Sequence, residues 1–262
     1  MARYKLVVEY EGTRYRGWQP QKNARTVGGE IQRAIHDVCA TSTFEFQGAG
    51  RTDAGVHALG QAAHLEITTS LSPDVLRNKL NDALPADISI LDIVRADPRF
   101  HARHHAVSRS YLYQVCRRRT ALGKRYVWWI KDPLNISQMQ TAGKHFVGMH
   151  DFRSFTDDDP DEKSTKVEIE ELQIAPAGDL ILVRMRGSHF VWKMVRRVVG
   201  VLAEIGRGSM PVTAVPALLR EHSDVPARLT APPSGLFLER VYYEGEQFLT
   251  HLEPVTNISY GR

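Results

Sequence analysis

Two cysteines in 262 residues, Cys39 and Cys116, are too few for a disulfide framework and lack the spacing of a metal site. They fit buried thiols in a reducing cytoplasm. Long apolar runs are missing too, since charge interrupts every stretch well before the ~20 residues that a membrane span needs. Met1 to Glu9 alternates too quickly into charged residues for a secretory leader and is better read as a strand. No Gly-Lys-Ser/Thr follows a glycine cluster and no dinucleotide fingerprint occurs, which excludes the common phosphate-cradling loops. With 42% hydrophobic and 24% charged residues, the composition is that of a soluble globular protein able to bury a core without staples.

Acid is absent from one long stretch. Between Pro98 and Lys131 stand nine Lys/Arg and no Asp or Glu: Arg99, Arg103, Arg109, Arg117, Arg118, Arg119, Lys124, Arg125 and Lys131. Arg184 to Gly208 adds six more cations against Glu204 alone, while Asp157 to Asp159, Asp161-Glu162 and Glu168 to Glu171 hold acids. The net charge of +4 is modest, but this segregation predicts a positive surface suited to phosphates. A solvated basic face fits the same pattern.

Periodicity predicts one order of elements twice. Tyr4 to Tyr10 has the pattern of a strand, and Val27 to Val38 carries a helical stripe behind Thr26 as N-cap. Phe44 to Gln47 and Gln61 to Ile67 have strand patterns. Ser72-Pro73-Asp74 starts a helix, and Ile88 to Val94 closes the first half. The second half repeats the plan: strand Tyr111 to Cys116, helix Ser137 to Val147, and a hairpin of Lys166 to Ile174 with Leu180 to Arg186. A helix from about His189 to Ile205 follows, then a short helix Val212 to Arg220 and a strand Leu236 to Tyr243. The expected class is α+β, with two ferredoxin-like β-α-β-β-α-β halves, residues 1–104 and 105–262, and a cleft between mainly antiparallel sheets.

The stretch Gly48 to Ala58 is the most unusual, with three glycines among residues 48–55 around Arg51 and Asp53. Such a loop lets something approach its backbone closely, and rigid strands on either side suit a catalytic group. A hairpin turn with an Asp capping its own backbone fits as well.

Gly50-Arg51-Thr52-Asp53-Ala54-Gly55-Val56-His57-Ala58 resembles the signature loop of the TruA-type tRNA pseudouridine synthases. Further blocks resemble the family in order: Tyr10 to Thr13 with Gly17-Trp18-Gln19, Phe100 to Arg103, Arg109 to Tyr113, Gly148 to Phe155, Met194 to Gly200, and Ala231 to Leu236. Between Ser188 and Met194 the chain departs from the pattern, with His189 to Lys193 where the family more often has Leu and then His or Tyr.

The resemblance implies conversion of uridine to pseudouridine at positions 38, 39 and 40 in the anticodon arm of tRNA, by a homodimer and without a cofactor. It implies Asp53 as the carboxylate beside the glycosidic bond, as nucleophile or as base. Burial disfavours a carboxylate's charge, so a cation must offset it; the family's arginine makes Arg196 that cation. On the predicted helix His189, Lys193, Arg196, Arg197 and Gly200 share a stripe about 100° wide that faces water or a cleft. Tyr111 corresponds to the tyrosine that stacks on the target base. Arg51 would hold or replace the flipped nucleotide. Arg103 and Arg109 are further candidates for tRNA contacts. Two other functions fit parts of the sequence: a noncatalytic RNA-binding protein, and a metal-dependent RNA hydrolase using Asp53 with His57, His101, His104 and His105, although no Glu or Cys completes that ligand set.

Overall fold

The computed structural model describes residues 1–256 and 258. In chain order the strands and helices are β1 Ala2–Tyr10, α1 Val27–Cys39, β2 Phe44–Gly48, β3 His57–Ile67, α2 Pro73–Ala83, β4 Ile88–Arg95, β5 Ala106–Cys116, β6 Trp128–Trp129, α3 Ile136–Lys144, β7 Gly148–Asp151, β8 Lys166–Ala177, β9 Leu180–Gly187, α4 Met194–Arg207, α5 Ala214–Arg220, α6 Val225–Arg228 and β10 Leu236–Tyr243. The class is α+β. Among the described residues no helix is long and apolar enough to cross a membrane. The chain forms two compact units, Met1–Val107 with Phe237–Gln247, and Ser108–Leu236 with Phe248–Arg262.

In the first unit the order β1-α1-β2-β3-α2-β4 folds as the periodicity predicts. β1 lies antiparallel to both β3 and β4, and β2 pairs antiparallel with the far half of β3. At the near end of β3, β10 runs parallel to it, Phe237 opposite His57. Both helices begin where side-chain caps predict: Thr26 accepts from the Gly29 N–H and Ser72 from the Val75 N–H. β3 starts four residues earlier than the sequence pattern indicated, because small residues around Gly60 blur the alternation.

In the second unit the sheet runs β5-β9-β8-β7, all antiparallel, with β6 parallel to β5. α3 packs on α4 and β8. Under β5 and β9 a core of Leu112, Cys116, Val127, Leu180 and Leu182 is closed by Leu252, Val255 and Ile258.

The second unit corrects two expectations. α4 begins at Met194 rather than near His189, because Lys193 is left-handed (φ 63°), which an α-helix cannot accommodate. The second basic stretch does not form an open positive surface. Arg184 is buried against the Leu249 and His251 carbonyls, Arg186 pairs with Glu170 and Glu171, Arg197 and Lys193 with Asp157, and Arg207 with Asp132 and Glu204. Sheet register explains one of these, since β8 sets Glu171 opposite Arg186 on β9. In the first basic stretch, by contrast, Arg99, Arg103, Arg117, Arg119, Lys124, Arg125 and Lys131 are exposed.

Candidate active site

Asp53 lies in the first unit on a tight turn. The Val56 N–H closes the turn on the Asp53 carbonyl (3.2 Å), with Gly55 in the left-handed region at φ 79°. A second segment, Tyr10 to Trp18, frames this turn. The Trp18 N–H donates to the Thr52 carbonyl (3.1 Å), the Gly55 N–H to the Tyr15 carbonyl (3.2 Å), and the Tyr10 hydroxyl meets Thr52 Oγ1 at 2.7 Å. Tyr15 is itself fixed: burial and its bond to Asp87 push its phenol well above the usual value.

Close approach makes two glycines of this frame indispensable. A Cβ at Gly12 would stand 1.9 Å from the Val56 carbonyl oxygen, and one at Gly17, itself at φ 89°, 2.4 Å from that of Thr52. On the far side Gln61 Nε2 holds the Gly50 carbonyl at 3.0 Å. His57, buried and stacked on Phe237 at 4.8 Å, accepts the Gly12 N–H on Nδ1 (3.0 Å). Asp53 is half-buried, and Arg51, two residues earlier, is exposed. The Tyr10 to Gln19 block reads in the sequence as an opening strand and turn; its work as the frame of this loop was missed, although Gly12 and Gly17 are the signal for it.

Arg103 belongs to the first unit as well. It is exposed on a turn headed by His101, whose Nδ1 accepts the N–H groups of Arg103 and His104 at 3.2 Å each. Burial, then His64 and His104, lowers the pKa of His101. Among the described residues no three His, Cys, Asp or Glu side chains gather as a metal site; His101 and His105 of this turn serve as hydrogen-bond acceptors.

The second unit carries the other candidates in two places. On β5, Arg109 and Tyr111 share the more exposed face, alternating with buried Ser108, Ser110 and Leu112. Arg109 donates to the Ser188 carbonyl (2.7 Å), and Tyr111 meets Phe190 edge to face at 4.9 Å. Tyr113 is fully buried and donates to the Pro232 carbonyl (2.7 Å), so it is a structural aromatic.

Arg196, half-buried in the first turn of α4, is pinned by the Ala231 to Leu236 block. Its Nε donates to the Ala231 carbonyl (2.7 Å), and its own carbonyl accepts the Ala231 N–H (3.1 Å). Gly200, one turn on, lets this block approach: a Cβ there would stand 1.8 Å from the Leu229 carbonyl oxygen. Its neighbour Arg197 does not share an open polar stripe with it. Arg197 is 4% exposed, donates to the Thr156 carbonyl (2.6 Å) and pairs with Asp157. Arg197 is thus spent on Thr156 and Asp157, and the Arg196 side chain is oriented by the Ala231 carbonyl.

Known proteins carry the same sequence pattern. A family model described as tRNA pseudouridine synthase matches residues 6–104 and 142–244. The "tRNA pseudouridine synthase A" of Sinorhizobium fredii is 38% identical over 248 residues, covering 93% of this chain and 100% of that protein. That of Anaplasma marginale is 39% identical over 247 residues, covering 92% and 100%. A "tRNA pseudouridine synthase A 2" of Bacillus anthracis is 35% identical over 246 residues, covering 93% and 100%. With its two matched segments, its rigid Arg-Thr-Asp loop and these full-length relatives, the chain belongs to the tRNA pseudouridine synthase family, isomerases that convert uridine to pseudouridine in tRNA.

Proposed function

We propose that this enzyme forms pseudouridine at positions 38, 39 and 40 in the anticodon arm of tRNA, as a cytoplasmic homodimer, with Asp53 as its catalytic carboxylate. The observation that carries the reading is the Asp53 turn, locked by backbone bonds to Tyr15 and Trp18 and by close packing on Gly12 and Gly17. A fixed carboxylate suits a reaction whose central demand is position beside one glycosidic bond. The bond from ribose to uracil N1 breaks, the base turns, a bond forms from ribose to C5, the C5 proton leaves, and N1 takes up a proton. Electrons balance within the substrate, so the chemistry calls for no redox partner. Arg196 is the second catalytic residue, the guanidinium that the family resemblance pairs with the carboxylate. Tyr111, with its ring already set against Phe190, stacks on the target base. Arg51 holds or replaces the nucleotide that leaves the helix, and Arg103 and Arg109 take phosphates.

The test uses unmodified tRNA tritiated at uracil C5. The expected result is tritium release without added cofactor, unaffected by chelator and with the RNA chain uncut. Replacing the uridines at positions 38, 39 and 40 should abolish release. Asp53→Asn should lower release about a thousandfold or more while tRNA binding survives. Loss of binding together with activity would assign Asp53 a structural role instead. Light scattering at assay concentration should give the mass of two chains.

A further inference from the structure

The turn that presents Arg103 is fastened at one residue. Ala102 has no exposed surface, and side chains take both of its peptide groups. Its N–H donates to His64 Nδ1 on β3 at 3.1 Å, and its carbonyl accepts from the Tyr243 hydroxyl on β10 at 2.8 Å. Two residues earlier, the Phe100 carbonyl accepts from Arg3 Nη1 on β1 at 2.9 Å. Three strands therefore hold the backbone on which the exposed Arg103 and His104 stand.

His64 is the inner end of this arrangement. It is completely buried, and because Nδ1 accepts a backbone N–H, the ring proton of the neutral form sits on Nε2. That nitrogen lies 3.1 Å from Glu45 Oε1, and Glu45 also receives Arg3 Nη2 at 3.0 Å. Arg3 in turn donates through Nε to Glu66 at 2.9 Å. The imidazole is thus oriented from behind by a charged network and spends its remaining nitrogen on the turn. None of this lies in the Asp53 loop.

We infer that His64 is a positioning residue for tRNA binding, whose Nδ1 acceptor fixes the His101 to His105 turn so that Arg103 and His104 meet a backbone phosphate in place. The inference rests on the proposed role of Arg103. It predicts an effect on affinity rather than on the chemical step, and it predicts which nitrogen matters. His64→Asn places an amide oxygen close to the position of Nδ1 and keeps an acceptor for Ala102. His64→Gln reaches instead towards the position of Nε2 and leaves the buried Ala102 N–H without an acceptor.

Filter binding of unmodified tRNA, kcat at saturating tRNA and thermal melting test this on the full-length enzyme. The expected result is a Kd raised about tenfold in His64→Gln, a Kd within about twofold of the parent in His64→Asn, and an unchanged kcat in both. Tyr243→Phe removes only the hydroxyl on the opposite side of Ala102 and should raise Kd about threefold; it decides the matter should His64→Gln not fold. Equal loss of affinity in the Asn and Gln variants overturns the inference, because ring volume would then be what counts, and so does a fall in kcat with Kd unchanged. Arg103→Ala separates the two levels. Weakened binding there with parental Kd in His64→Gln and Tyr243→Phe overturns the positioning role alone. Parental Kd in all of them removes the turn from the tRNA interface.

Discussion

The loop that carries Asp53 and the segment that leads into Arg196 are both irregular, yet opposite means hold them. The first is fixed by neutral bonds and steric fit: carbonyls and N–H groups of Thr52, Gly55, Tyr15 and Trp18, with glycines where a side chain would collide. The second is fixed largely by charge. Asp157 takes both Lys193 and Arg197, and Asp158 takes Lys163 and the Trp192 N–H. Neutral bonds respond little to salt or to pH near neutrality, whereas ion pairs respond to both. The Asp53 loop is therefore placed by shape and the segment leading into α4 by electrostatics, while Arg196 itself rests on the Ala231 backbone.

Filling the shape-determined side should cause the larger failure. Gly17→Ala must displace Thr52 and also strain a positive φ, so the carboxylate should move by a substantial fraction of an ångström. The expected loss in kcat is about a hundredfold with a smaller change in tRNA affinity; parental kcat would mean that the loop tolerates displacement. The paired arginines sharpen the contrast next. Arg197→Ala leaves Asp157 without its buried partner and should cost about 2 kcal/mol of stability, discounted because Asp157 is a third exposed. Arg196→Ala should lower kcat about tenfold or more with a smaller fall in Tm. The reverse ranking would exchange the two assignments.

The smallest expected effect lies in acid. Burial pushes the Asp157 carboxyl up, but the bonds from Lys193 and Arg197 outweigh it and leave it below its usual value. A depressed carboxylate contributes stability that is complete above the ordinary carboxylate range and drains away as pH falls through the folded value. Asp157→Asn should therefore lower Tm at pH 7 and flatten the loss of Tm below about pH 4. An acid limb as steep as the parent's would place the acid sensitivity elsewhere, at Asp151 or Asp158, which are lowered as well.

Signals that act over a few residues were legible before the fold was known. Thr26 and Ser72 cap the helices that they announce, and the strand read over Tyr111 to Cys116 lies within β5, although its start at Ala106, which puts Arg109 on the face of Tyr111, was not read. The Asp53 loop stood out through its glycines. Its frame did not, because nothing local says that Tyr15 and Trp18 will meet residues 52–55. The start of α4 was misplaced because a count of apolar residues every 3.6 positions is blind to the sign of φ at Lys193. The burial of Arg197 was invisible for a related reason: its partner Asp157 lies 40 residues away in sequence. His64 and Ala102, 38 residues apart, are joined only once the sheet has formed.

β10 comes after most of the second unit in sequence, yet from Phe237 onward it belongs to the first. As the chain leaves the ribosome, residues 1–107 appear long before the strand that completes them. Until then β3 lacks its parallel neighbour, His57 lacks the Phe237 ring, Ala102 lacks the Tyr243 hydroxyl and Lys5 lacks Glu246. The polypeptide must be almost entirely synthesised before its amino-terminal portion can finish folding. A nascent fragment that ends near residue 107 would present an open strand edge to chaperones and proteases.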